Sequence, residues 1–165
     1  MRVGIHQPNY LPWLGFFRKI TQSDIFIFLD TVQFSKNSYQ NRVQVKARDQ
    51  GLWLTQPVQR QGGLKRVTRD VEFASTNWRE KHLATLRQLY SKAPHYAAFI
   101  DIVSELLLTP SENLSEYNSR LIEGIAGLFP ASPRFVRASD LEVEVDDPSH
   151  RLVRLIQKVG GSHYI

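Results

Sequence analysis

The order of hydrophobic periods along the chain predicts an α/β fold: a three-layer Rossmann-like domain with an N-terminal βαβ unit, a small antiparallel hairpin insertion and C-terminal helices. Three observations carry this prediction. Arg2 to Leu29 runs strand, helix, strand in a span that suits one right-handed crossover. Between Val43 and Phe73 short alternating stretches read as antiparallel strands. From Asn77 onward the period lengthens to that of helices, with one weak strand among them.

Taken in order, Arg2 to His6 alternates around Val3 and Ile5 and reads as the first strand. Leu11 to Gln22 sets Leu11, Leu14, Phe17 and Ile20 at helical spacing, with Pro12 in the first turn, where a missing N–H costs nothing. Ile25 to Leu29 is a continuous apolar run, the mark of a strand buried on both faces of a parallel sheet. Asp30 to Asn41 is a polar loop. Val43 to Lys46 and Leu52 to Val58 form a hairpin around Asp49-Gln50-Gly51, Gly62-Gly63 marks a turn, and Val67 to Phe73 alternates again. Trp78 to Ser91, Tyr96 to Leu108 and Leu114 to Phe129 read as helices, with Asn77 and Ser111 as N-terminal caps. Phe135 to Ala138 is the weak strand. Pro148 to Val159 is a last helix stopped by Gly160-Gly161, after which a further strand opens.

At 165 residues the chain makes one domain, and a composition 42% hydrophobic and 22% charged excludes disorder and fibrous arrays. The absence of cysteine removes disulfide scaffolds, Cys-based zinc sites, iron–sulfur clusters and thiol nucleophiles. With no leader-like N-terminus and no apolar run near the ~18 residues a membrane span needs, the sequence predicts a cytoplasmic protein without a membrane span. The net charge of +5 conceals a split. Residues 1–92 hold 15 basic and 6 acidic residues, and residues 93–165 hold 6 and 10. A basic front half suggests a surface aimed at an anion.

Ligands of open α/β sheets bind outside the carboxyl ends of the strands, and anions favour helix N-termini. The first strand ends in His6, Gln7, Asn9 and Tyr10, a hydrogen-bonding cluster before a helix. The second ends at Asp30, and Gln33, Lys36, Asn41 and Arg42 follow on the same edge. His6 or Asp30 is the candidate general base; Lys36 and Arg42 suit phosphate or carboxylate, arginine as a two-pronged donor. Trp78, Lys81 and His82 share one helical face and form a further, weaker candidate cluster. His95, His150 and His163 have no partners at metal-ligand spacing, so no metal site is assigned, and no cofactor can be named. Gly-rich phosphate loops, GxSxG and HExxH are absent. The cations are dispersed, which argues against nucleic acid as a partner.

His6-Gln7-Pro8-Asn9-Tyr10-Leu11-Pro12-Trp13-Leu14-Gly15-Phe16-Phe17 with Lys19 resembles the opening signature of the WbqC-like protein family. Ser23-Asp24, Leu29-Asp30 and Val32-Gln33-Phe34-Ser35-Lys36 resemble its second block. Asn41-Arg42, Trp53-Leu54-Thr55 with Pro57-Val58, Trp78 with Lys81-His82, Tyr90 with Ala93-Pro94 and Asn118 with Leu121-Ile122 continue the likeness. The resemblance implies a transferase of bacterial surface-polysaccharide (O-antigen) synthesis, with a small anionic substrate such as a nucleotide sugar or an activated acyl or aminoacyl donor. It also implies a domain that runs beyond the Tyr matching Tyr164, so that residues 1–165 would lack its C-terminal segment. The alternatives are a nucleotide- or glycan-binding module without turnover and, third, a nucleic-acid binder. Neither the transferred group nor the oligomeric state can be read from the sequence.

Overall fold

A computed structural model describes residues 1–47, 50–59, 66–131 and 133–165. The described elements run β1 (Arg2–His6), α1 (Leu14–Gln22), β2 (Ile25–Phe28), β3 (Arg42–Ala47), β4 (Gln50–Thr55), α2 (Trp78–Tyr90), α3 (Tyr96–Leu108), α4 (Leu114–Ala126), β5 (Arg134–Arg137), α5 (Pro148–Lys158) and β6 (His163–Tyr164). The Gly62-Gly63 turn and Asp49 lie outside the described residues.

The four strands β5-β2-β1-β6 form a parallel sheet in that order. Alternation explains its two buried faces. Ile25 and Ile27 join Val3, Ile5 and Leu155 of α5 in one core, whereas Phe26 and Phe28 pack with Phe16, Phe17 and Ile20 of α1 and Ile122 and Ala126 of α4. Helices on both faces of a parallel sheet are the predicted three-layer arrangement. Gly4 lies on the α1 face, where a Cβ would stand 2.4 Å from the Ser23 hydroxyl and 2.8 Å from the Phe26 ring. Only glycine lets that ring cross β1.

Everything from β3 to α4 is inserted between β2 and β5 and carries its own core of Tyr10, Leu54, Phe73, Trp78, Leu107, Tyr117 and their neighbours. The hairpin pairs antiparallel from Arg42↔Thr55 to Ala47↔Gln50, so Val58 lies beyond it. Four local expectations give way to tertiary context. Leu11 is left-handed (φ 43°), so α1 starts at Leu14 and Pro12 precedes its first turn. Val67 to Phe73 forms a single 3-10 turn at Thr68–Asp70 rather than a strand. Its backbone groups are divided among three neighbours: the Thr68 and Arg69 N–H groups donate to Val32 and Asp30, the Phe73 N–H donates to Glu112 and the Val71 carbonyl accepts from Leu114, and the Glu72 carbonyl accepts from the Gln59 N–H. No one partner supplies a ladder. Asn113, not Ser111, caps α4 by accepting from the Glu116 N–H, while the Ser111 hydroxyl donates to the Glu116 carboxylate. Asn77 stands at the start of α2 but makes no side-chain cap bond.

Helix α4 is buried between the two cores, and at its middle Asn118 has no exposed surface. Its amide donates to the Pro8 carbonyl (3.0 Å) and the Gln40 carbonyl (2.7 Å) and accepts from the buried Gln56 amide (3.0 Å). Asn118→Ala would leave a donor and two carbonyls unpaired in a dry interior, and a loss of about 3 kcal/mol is expected in urea unfolding. A loss no larger than that of an exposed Ala substitution would contradict this account.

Tyr10 is fully buried, and its hydroxyl lies 2.9 Å from His82 Nδ1. Burial lowers the His82 pKa to about 4, with the hydrogen bond to the Thr55 backbone pulling the other way. The unfolded chain, with histidine near 6.5, binds this proton at a pH where the folded chain does not. Stability is therefore complete above pH ~6.5 and declines towards pH 4, by about 3 kcal/mol from this group. Burial lowers His6 as well, so it acts in the same direction. Unfolding midpoints measured from neutral pH to pH ~4.5 should fall in the wild type and much less in His82→Gln; equal slopes would exonerate His82.

Candidate functional site: the carboxyl edge of the sheet

Helix α1 leads from β1 to β2 on one side, while α5 carries the chain from β5 across to β6 on the other side of β1. The strand order thus reverses beside β1, the place where open sheets leave a crevice at their carboxyl edge. His6 ends β1 there. Its ring is wedged against Trp13 (centroids 5.8 Å apart) and Phe16 (4.8 Å), and Nδ1 lies 3.0 Å from the Gln7 carbonyl. A carbonyl only accepts, so this bond requires the proton on Nδ1 and leaves Nε2 as an acceptor. Burial lowers the His6 pKa, against the Gln7 bond, and the imidazole is neutral at pH 7. Lys19 donates from α1 to the Ile5 carbonyl (3.0 Å), and its ammonium lies 4.7 Å from the centre of the Tyr164 ring. Gln7 is half-buried beside this crevice, whereas Asn9 and Tyr10 are buried beneath it.

The loop after β2 spreads its polar residues. Lys36 is exposed, and exposed Gln33 forms an isolated backbone bridge to Val67. Asn41 is buried and organises the loop: its amide donates to the Gln56 carbonyl and its oxygen accepts from the Asn37 N–H. The Arg42 guanidinium stacks 4.2 Å from the centre of the Trp53 ring. Trp13, Tyr39 and Trp53 are all exposed and follow one another at centroid separations of 6.2 and 6.1 Å. In α2, Trp78 and His82 face the insertion core, and Lys81 is exposed.

Asp30 is only 2% exposed. Its carboxylate turns towards the end of β5 and accepts from the Ser139 N–H (2.9 Å) and the Ser139 hydroxyl (2.7 Å). Around it opens a cleft of about 280 Å³, lined by Asp30, Arg69, Asn113, Ser115, Glu116, Arg137 and Ser139. The Arg69 N–H donates to the Asp30 carbonyl, and the Asn113 amide to the Arg69 carbonyl, so two segments of the insertion are tied to the edge. Chemically the cleft offers a fixed carboxylate, a hydroxyl, two guanidinium groups and the start of α4. Among the described residues no group of three or more His, Asp or Glu gathers as metal ligands would.

Asp30 is the sequence candidate that lines this cleft; His6 and Gln7 stand at the end of the neighbouring strand, and Arg42 stands with the exposed aromatic run. Arg69, Ser115, Arg137 and Ser139 were not singled out from the sequence. Arg137 and Ser139 were within reach, because the carboxyl-edge rule that selects His6 and Asp30 applies equally to the end of β5. Arg69 carries no such signal, since only the 3-10 turn brings it to Asp30.

No helix of the described residues is long and apolar enough to cross a membrane. No solved structure matches the chain. The uncharacterized protein Rv1507c of Mycobacterium tuberculosis is 34% identical over 166 residues, an alignment that covers 99% of this chain and 71% of that protein. The model of the WbqC-like protein family matches residues 7–165, from the turn after β1 through every later element. The chain belongs to the WbqC-like protein family.

Proposed function

We propose that the protein is a transferase of bacterial surface-polysaccharide (O-antigen) synthesis acting on a small anionic activated donor, a nucleotide sugar or an activated acyl or aminoacyl compound. The observation that carries this reading is the Asp30 cleft, in which a buried carboxylate is fixed by Ser139 beside Arg69 and Arg137 at the carboxyl edge of a parallel sheet. A carboxylate held in one orientation suits proton abstraction from an acceptor hydroxyl, and guanidinium groups suit an anionic donor. His6, neutral and with Nε2 as acceptor, is the second base of the edge. Gln7 follows His6 at the end of β1 and would orient the remainder of a donor, with Lys36 and Arg42 of the loop after β2 as cations for its charge.

A second reading, a glycan- or nucleotide-binding module without turnover, draws on the exposed run of Trp13, Tyr39 and Trp53, whose rings can stack on sugars or bases. Transfer from a panel of labelled nucleotide sugars and acyl donors separates the two. Asp30→Asn keeps the shape, with its oxygen accepting from the Ser139 N–H and its NH2 donating to the Ser139 hydroxyl, so its unfolding midpoint should stay near that of the wild type while turnover falls about 10²–10⁴-fold. His6→Gln should also lower turnover. Unchanged transfer in both variants would overturn the assignment of the base, and binding without transfer by any donor would favour the module.

A further inference from the structure

The wall of the cleft facing Asp30 is the start of α4. Ser115, second residue of that helix, is 3% exposed and lines the cleft, yet its hydroxyl has no hydrogen-bond partner among the described residues. A buried hydroxyl left unpaired costs about 1–3 kcal/mol, and native proteins seldom leave one without a purpose. It stands in the first turn of the helix, where the helix dipole is positive and the Leu114 and Glu116 N–H groups already donate to Val71 and Asn113. Arg69 makes only a loose contact with exposed Asp70 (3.8 Å), and Arg137 makes no ion pair within 4 Å among the described residues, its electrostatic partner being Glu123.

The two carboxylates in the cleft are already served. Asp30 accepts from Ser139, and Glu116 accepts from the Ser111 hydroxyl (3.0 Å) and pairs with Arg120 (3.5 Å). An arriving anion therefore meets the unpaired Ser115 hydroxyl and two guanidinium groups that no tight ion pair holds. On the other wall each Asp30 oxygen has taken one donor and can accept another, such as a ligand hydroxyl.

We propose that the cleft binds a phosphate ester bearing a nearby hydroxyl, as in a sugar phosphate, with the phosphoryl group held by Arg69, Arg137, Ser115 and the start of α4 and the hydroxyl held by Asp30. The proposal rests on the transferase reading and narrows its anionic substrate. A phosphoryl group offers several acceptor oxygens, matching two guanidinium forks and a hydroxyl together, as a carboxylate with two oxygens does not. The volume of about 280 Å³ lies at the small end of ligand pockets, which begin near ~300 Å³, and suits such an ester better than a whole dinucleotide.

Calorimetric titration of the full chain at constant ionic strength tests this with inorganic phosphate, glucose 1-phosphate, glucose and acetate. Phosphate should bind with a millimolar or tighter constant, glucose 1-phosphate more tightly, and glucose and acetate not measurably. Arg137→Gln should weaken both phosphate compounds about tenfold, and Ser115→Ala about fivefold without lowering the unfolding midpoint, since it removes an unpaired hydroxyl. Asp30→Asn should leave phosphate binding intact and narrow the advantage of the sugar ester. No heat with phosphate, equal binding of acetate, or unchanged constants in Arg137→Gln and Ser115→Ala would overturn the site. These readouts need no turnover: phosphate binding in a protein that transfers nothing would count against the transferase alone, and Asp30-dependent transfer without phosphate binding against this site alone.

Discussion

Asn118 is the contact on which the arrangement of the edge depends. Three segments far apart in the chain, the turn after β1 at Pro8, the end of the polar loop at Gln40 and the exit of β4 at Gln56, meet on one side chain in the dry interior. A buried amide of this kind tolerates little displacement, because each bond it loses strands a polar group without water. Ser115 is three residues before it on the same helix, about 4.5 Å along the axis. The bonds that hold Asn118 therefore also set how far the start of α4 stands from Asp30. The loop, the insertion and the helix are clamped first, and the cleft is what remains between them.

Burial has a consistent electrostatic consequence in this molecule. Both His6 and His82 are pushed towards the neutral form, one at the sheet edge and one in the insertion core. For His82 this is a packing matter, since its partner is the hydroxyl of a fully buried tyrosine. For His6 the same desolvation leaves an imidazole that can accept a proton near the crevice. One physical cause thus serves a structural role in one place and favours a chemical role in another. Surroundings separate the two: His6 is half-buried at the end of β1, whereas His82 is enclosed by Tyr10 and Trp78.

The parallel core was legible because its signal is local. The Ile25-Phe26-Ile27-Phe28 run is buried on both faces, and the alternation of β1 and the spacing of Phe16, Phe17 and Ile20 place each residue on the side where it packs. Val67 to Phe73 misled because its alternation reflects burial of Val71 and Phe73 in the insertion core, while its backbone bonds are split among three segments. Ser111 and Asn113 are both good caps by type, and only the geometry of the preceding turn decides that Asn113 accepts the Glu116 N–H. At the edge, strand ends were legible and orientation was not. Nothing in the sequence says that the Asp30 carboxylate turns to Ser139, a residue more than a hundred positions away that must first be brought alongside by β5.

The charge split makes the same point about scale. The front half of the chain is strongly basic and the back half acidic, which suggested that an anion would be met by the front half. The cleft draws Arg69 from the basic half and Arg137 from the acidic half, and gathers them with Asp30 and Glu116. Over a Debye length of about 8 Å the summed charge of a sequence segment matters less than which few groups share a cavity and which of them already have partners. Glu116 and Asp30 have theirs, the hydroxyl of Ser115 does not, and the guanidinium of Arg137 has no tight ion pair. The anion proposed for the cleft rests on that difference in hydrogen-bond satisfaction, not on net charge.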